Sequence, residues 1–194
     1  MHLVASLVVL VLAAGWRVAA AHVPELWNFA PLMALTFCAA VYFPDKRTWL
    51  VPFAALLVSD LYLDWHYATT FGETWLWPSV AVRLVCFAIA LPLGQLVARR
   101  KNWLTLLGGA LAGSIFFYLA TNTDSWVRDP NYAKTAAGWW QALTVGRPEF
   151  PPTLFFFRNT LASDLLFTGA FALAMEFAAL RGGSPSLLAK RAVA

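Results

Sequence analysis

The sequence predicts an all-α membrane protein, a bundle of six transmembrane helices, and three observations carry that expectation. Of its 194 residues, 60% are apolar and only 12% charged, against roughly 45–50% and about a quarter in soluble domains. Its mean hydropathy is +0.64. Six apolar stretches approach the roughly 17–25 residues that a spanning helix needs, which leaves room for a single integral membrane domain over 1–194. Nucleic-acid partners are excluded: the net charge of +4 is scattered through short loops and forms no basic stripe.

The first stretch, 3–20, ends at Ala19-Ala20-Ala21, which looks like a signal-peptidase site. No Lys or Arg precedes it and Arg17 interrupts its end, so a retained helix is expected. The second, 28–43, is short and must stand upright or thin the bilayer. The third, fourth and fifth are 49–65, 76–98 and 103–120, and the last, 153–180, is long enough to tilt. Pro31, Pro52, Pro78 and Pro92 fall inside these stretches, where membrane helices tolerate proline.

Loop charges set the orientation. Lys46 and Arg47, then Arg99, Arg100 and Lys101, then Arg181, Lys190 and Arg191 occupy alternate connections and the tail. The intervening connections 22–27 and 66–75 hold no Lys or Arg. Both termini are therefore expected in the cytoplasm. The long connection 121–152 falls outside. It should open with turns from Asp124, continue as a short helix within 132–145, and break at Gly146-Arg147-Pro148.

With that orientation most tryptophans gather at the outer face, among them Trp27, Trp65, Trp75 and Trp77. An aromatic belt predicts a more even split. A cleft walled by flat rings is the functional alternative.

Ionisable residues within the spans are the sharper signal, because they usually face the bundle interior and pair. Asp60 and Asp64 lie one turn apart, with Arg83 and the pair Arg158-Asn159 at similar depth. A buried ion-pair network and a ligand site are both open readings, and they can coexist. Asp164 lies deeper. Ser59-Asp60-Leu61 and Ser163-Asp164-Leu165 repeat one string, a weak hint of duplication. Gly109 and Gly113 form a GxxxG face that allows close helix contact.

No HExxH, GxSxG, Walker loop or metal-ligand cluster occurs, so neither an enzyme nor a resident cofactor or metal is expected. His66, at the outer mouth, is either a ligand contact or a solvated interfacial histidine. Cys38 and Cys86 sit in apolar runs.

Four blocks carry a resemblance: Asn28 to Leu35 with Ala40 to Phe43, Leu57 to Leu61, Phe116 to Asn122 with Trp126, and Phe156 to Leu165. They resemble a family of small bacterial membrane proteins described as transport proteins. That family is similar to the substrate-binding S-components of energy-coupling-factor vitamin transporters. The resemblance implies six helices, a vitamin site in the outer half, and docking to a coupling subunit with its ATPases. It also places Asp60, Arg158 and Asn159 in the shared pattern. Cobalamin transporters of this kind hold cobalt through a cysteine near the outer loops, and here none lies there.

The leading expectation is thus a substrate-binding subunit of a bacterial inner membrane that takes up a vitamin, cobalamin among the candidates. Its site would use Trp27, Trp65, Trp75, Trp77, His66, Asp60, Asp64, Arg83, Arg158 and Asn159, and Arg158→Ala would abolish binding. The alternatives are a structural subunit of a membrane complex and a proton-coupled carrier titrating Asp60 or Asp64.

Overall fold

The computed structural model describes residues 3–72 and 77–183, and among them no strand occurs. Seven helices follow one another: α1 Leu3–Ala21, α2 Leu32–Tyr42, α3 Leu50–Phe71, α4 Trp77–Ala98, α5 Trp103–Arg128, α6 Ala136–Leu143 and α7 Thr153–Arg181. Three stretches, Pro78–Ala98, Trp103–Arg128 and Thr153–Arg181, are long and apolar enough to cross a membrane. The long helices turn large apolar side chains outward, such as Leu12, Val58, Leu96, Leu104, Leu166 and Leu173. Faces of this kind suit a lipid solvent and would be a large exposed patch in water. The architecture is that of a helical membrane protein.

Helix α2 is shorter than its expected span, and α3 runs to Phe71, six residues past its expected end. Helix α2 differs in kind. It has 11 residues and nine of them are buried, so at about 1.5 Å per residue it covers only about half a bilayer. It needs neither to stand upright nor to thin the bilayer, because its neighbours, not lipid, surround it. Its start is set by Asn28 at φ 63 and by Pro31, which caps the helix instead of lying within it. Pro52 and Pro78 likewise occupy first turns, where a missing N–H costs nothing. Pro92 alone of the four is interior.

Close approach of α4 and α5 to α2 requires glycine at two places. A Cβ on Gly94 would lie 2.6 Å from the Phe37 carbonyl oxygen, and one on Gly109 2.7 Å from the Phe37 ring. Gly113 has no such neighbour, so the GxxxG pair is used at one residue only. Gly94→Ala is expected to lower stability by about 1–2 kcal/mol through overpacking. A fall in apparent Tm in detergent, absent for Gly108→Ala in open space, checks it.

The expected turn-rich stretch from Asp124 is helical: α5 runs on to Arg128. An Asp124–Arg128 ion pair one turn apart and a hydrogen bond from Ser79 Oγ to Asp124 (3.0 Å) favour the extra turns. The chain then turns at Asp129, whose carboxylate accepts from the Asn131 amide (2.9 Å). Helix α6 follows within the expected range, capped by Thr135, and Gly146 at φ +70 ends the segment.

Candidate functional site

A cavity of about 370 Å³ opens at one end of the bundle, within the range of small-molecule sites. Its walls come from the C-terminal halves of α1 and α5, the N-terminal halves of α2, α4 and α7, and α3 from Leu56 to Tyr67. Arg147, Phe150 and Tyr132 from the 129–152 connection also line it. All these segments lie at the end that the charge pattern assigns to the outside.

The aromatic lining is mostly phenylalanine and tyrosine. Of the tryptophans with described side chains, Trp27 alone lines the cavity, with its ring stacked on Phe156 (6.0 Å, 6°). The indole N–H groups of Trp16, Trp126 and Trp139 bond Phe29 O, Ala133 O and Thr123 Oγ1, so they fasten connections to helices. Trp65 is 53% exposed and packs on Tyr62. Trp75 and the side chain of Trp77 lie outside the described residues.

The charged residues divide into a buried network and outliers. Asp60 sits between two guanidiniums: Arg17 Nη1 at 2.5 Å and Arg83 Nη2 at 3.0 Å. Arg83 also reaches Asp64 at 3.8 Å, and Arg17 donates to Ser59 Oγ at 2.6 Å. Both arginines line the cavity while both aspartates stand behind them. The fourth member is Arg17 from α1, where the sequence pointed to Arg158. That residue occupies an exposed face of α7, its guanidinium over Phe155 (4.4 Å) and bonded to Asn159 Oδ1 (3.1 Å).

Asn159 is buried and works on the backbone: its Nδ2 donates to Glu25 O (2.8 Å) and Trp27 O (2.9 Å). These bonds pin the α1–α2 connection to α7 and so hold Trp27 at the cavity. His66 lies elsewhere, stacked on Tyr62 and 4.7 Å from the His22 ring. Cys38 and Cys86 are buried, and no group of three or more metal-ligating side chains occurs among the described residues.

The 129–152 connection closes over the cavity. Tyr118 donates to Leu143 O, Leu154 N to Thr144 O (3.1 Å), and Gln141 Nε2 to Gly146 O (3.1 Å). Arg147 reaches Asp129 at 3.3 Å and Glu149 at 3.4 Å. The Glu149 carboxyl is held below its ordinary range by its own backbone amide and by Arg147. Burial, with Asp129 nearby, pushes the Tyr132 phenol up. Tyr118→Phe is expected to cost about 1 kcal/mol of closure. Limited proteolysis after Glu149 with a glutamate-specific protease should then run about five-fold faster.

The family model for DUF6580, a family of unknown function, matches residues 1–186. The chain belongs to DUF6580. No curated protein and no solved structure matches it. For this DUF6580 chain the site is therefore defined by its own geometry: an aromatic cavity, arginines balanced from behind, and a connection folded across the mouth.

The sequence reading did not single out Arg17, Arg147, Tyr67, Tyr118 or Asp164 as site residues, yet all five line the cavity. Arg17 carried a usable signal, since an arginine near the end of an apolar run needs a partner.

Proposed function

We propose that this chain is a substrate-binding membrane protein for uptake of a vitamin-sized micronutrient across a bacterial inner membrane. On this reading six segments make the bundle, α2 as a buried half-length one. The cavity faces outward and both termini face the cytoplasm. The observation that carries the reading is the cavity itself: a ring-lined space of about 370 Å³ with arginine side chains at its wall and a folded connection at its mouth. Apolar pockets with a few placed polar groups are the usual form of small-molecule sites.

The volume also bears on substrate. At about 370 Å³ it lies at the small end of the range for ligand pockets, which suits one or two fused rings with a short chain. A whole corrinoid is far larger, so a compact vitamin or precursor is the better candidate than cobalamin. Docking to a coupling subunit with ATPases belongs to the same proposal through the resemblance noted above.

Native mass spectrometry of the gently purified chain tests this. A stoichiometric vitamin-sized molecule is expected, with at least ten-fold weaker retention in Trp27→Ala, which removes the stacked ring. A bound protein in place of any small molecule would favour a structural subunit instead.

A further inference from the structure

Among the described residues Asp164 is the one carboxylate that lines the cavity, and it is bound differently from the buried Asp60 and Asp64. Its side chain is 1% exposed. One oxygen, Oδ2, accepts from Ser114 Oγ at 2.6 Å, while the other, Oδ1, is buried without a hydrogen-bond partner. One turn along α7, the Thr168 hydroxyl is also fully buried, against the Cys38 thiol of α2. Both residues line a second space of about 10 Å³ directly beneath the cavity, close to the room that a single water needs. Asp164 is thus shared between the two.

Its surroundings contain no counter-charge. Helix α2 brings the Ala34 amide and the Cys38 thiol toward it, and α5 brings Ser114. Helix α4 contributes Ala90 and Leu93 to the space below. Arg17, Arg83 and Arg147 line the cavity above but pair with Asp60, Asp64, Asp129 and Glu149. An ionised carboxylate there would have only a hydroxyl and the start of α2 to offset it, in surroundings where an unpaired charge is costly.

We propose that Asp164 is a cation-binding site on the floor of the cavity, taking a proton on Oδ1 with one water in the space below, or Na⁺ in place of both, with Thr168 Oγ1 as a further contact. The chemistry is one positive charge delivered to a lone buried carboxylate. A ligand in the cavity would meet that cation at a shared side chain, the arrangement a carrier needs for coupling. This last step rests on the uptake reading, whereas the cation site does not.

Infrared spectroscopy of the full chain, labelled with ¹³C at the aspartate carboxyls, tests the site without any organic ligand. In Na⁺-free buffer at neutral pH, a protonated-carboxyl C=O band that shifts with the label is expected. It should vanish in Asp164→Asn and change frequency in Ser114→Ala. Should Asp164→Asn fail to fold, Asp164→Glu serves, because the band then loses its sensitivity to the aspartate label. Loss of the band on adding NaCl, but not choline chloride, would assign the site to Na⁺ as well, and indifference to both would assign it to the proton alone. The proposal is overturned if no label-sensitive protonated band exists and Na⁺ leaves the carboxylate bands unchanged. It is equally overturned if the band survives in both Asp164 variants. Asp164 would then be a charged cap for α2. Failure of native mass spectrometry to find a ligand would leave this result standing.

Discussion

Asp60→Asn is expected to destabilise the protein by about 3–5 kcal/mol, the usual cost of leaving a buried charge without its partner. Two guanidiniums from two other helices converge on this one carboxylate, Arg17 at 2.5 Å and Arg83 at 3.0 Å. After the substitution Arg83 keeps its ion pair with Asp64, 3.8 Å away, while Arg17 keeps the Ser59 hydroxyl and a neutral amide oxygen in place of the carboxylate. Loss of Asp60 therefore unties α1 and α4 from α3 together. Removing the extra charge should repair much of the damage: Arg17→Met combined with Asp60→Asn should be more stable than Asp60→Asn alone. The single variants, the pair and the wild type form a double-mutant cycle, read as apparent Tm and as folded yield in detergent. A coupling indistinguishable from zero between Arg17 and Asp60 would show that the network is not what holds these helices. Asp64→Asn, which gives up only the longer contact, should cost clearly less.

The same network shows what the sequence could and could not say. Asp60, Asp64 and Arg83 were legible, since a charge in an apolar run needs a partner at its own depth and the 1.5 Å rise gives that depth. Rise alone does not give the face of the helix. Arg158 and Arg17 lie at comparable depth, and only packing of α1 against α3 decides that Arg17 turns inward while Arg158 turns out. Tryptophan misled for a related reason. Its enrichment at one end was real, yet the indole N–H of Trp16, Trp126 and Trp139 is spent on the oxygens of connections and neighbouring helices. The rings that wall the cavity are mainly Phe and Tyr, such as Phe87, Phe117 and Phe157, which look like ordinary span filler in the sequence. The expected bounds of α4 and α7 were close to those observed because hydropathy marks lipid-facing length well, whereas α3 and α5 run six and eight residues past their expected ends at 65 and 120, where the composition turns polar. Helix α2 was overlong in the reading because burial by protein and burial by lipid leave the same apolar signature.

Asn159→Ala should have the second-largest effect, about 2–4 kcal/mol, because two backbone carbonyls each lose a buried donor. Its neighbour Arg158 is tied to the same group by a different logic. The Arg158 guanidinium donates to Asn159 Oδ1 through both Nε (3.3 Å) and Nη2 (3.1 Å). That occupies the amide's acceptor and leaves its Nδ2 facing Glu25 O and Trp27 O. Arg158 thus positions Asn159, itself remaining exposed and outside the cavity lining. Arg158→Ala should accordingly cost about 1 kcal/mol or less and leave most ligand retention intact. Arg158→Lys should do no better, since an ammonium cannot reproduce the paired N–H geometry. Asn159→Asp separates orientation from size, because it keeps the shape while removing both donors, and it should be as damaging as Asn159→Ala. Apparent Tm and the Trp27 emission, taken as the difference between each variant and its Trp27→Phe counterpart because the chain has ten tryptophans, together read the outcome. Loss of Asn159 should lower the first and shift the second, as the connection carrying Trp27 leaves its stack on Phe156. An Arg158→Ala protein that folds normally and loses its ligand entirely would restore Arg158 as a direct contact and require the exposed face of α7 to close over the site.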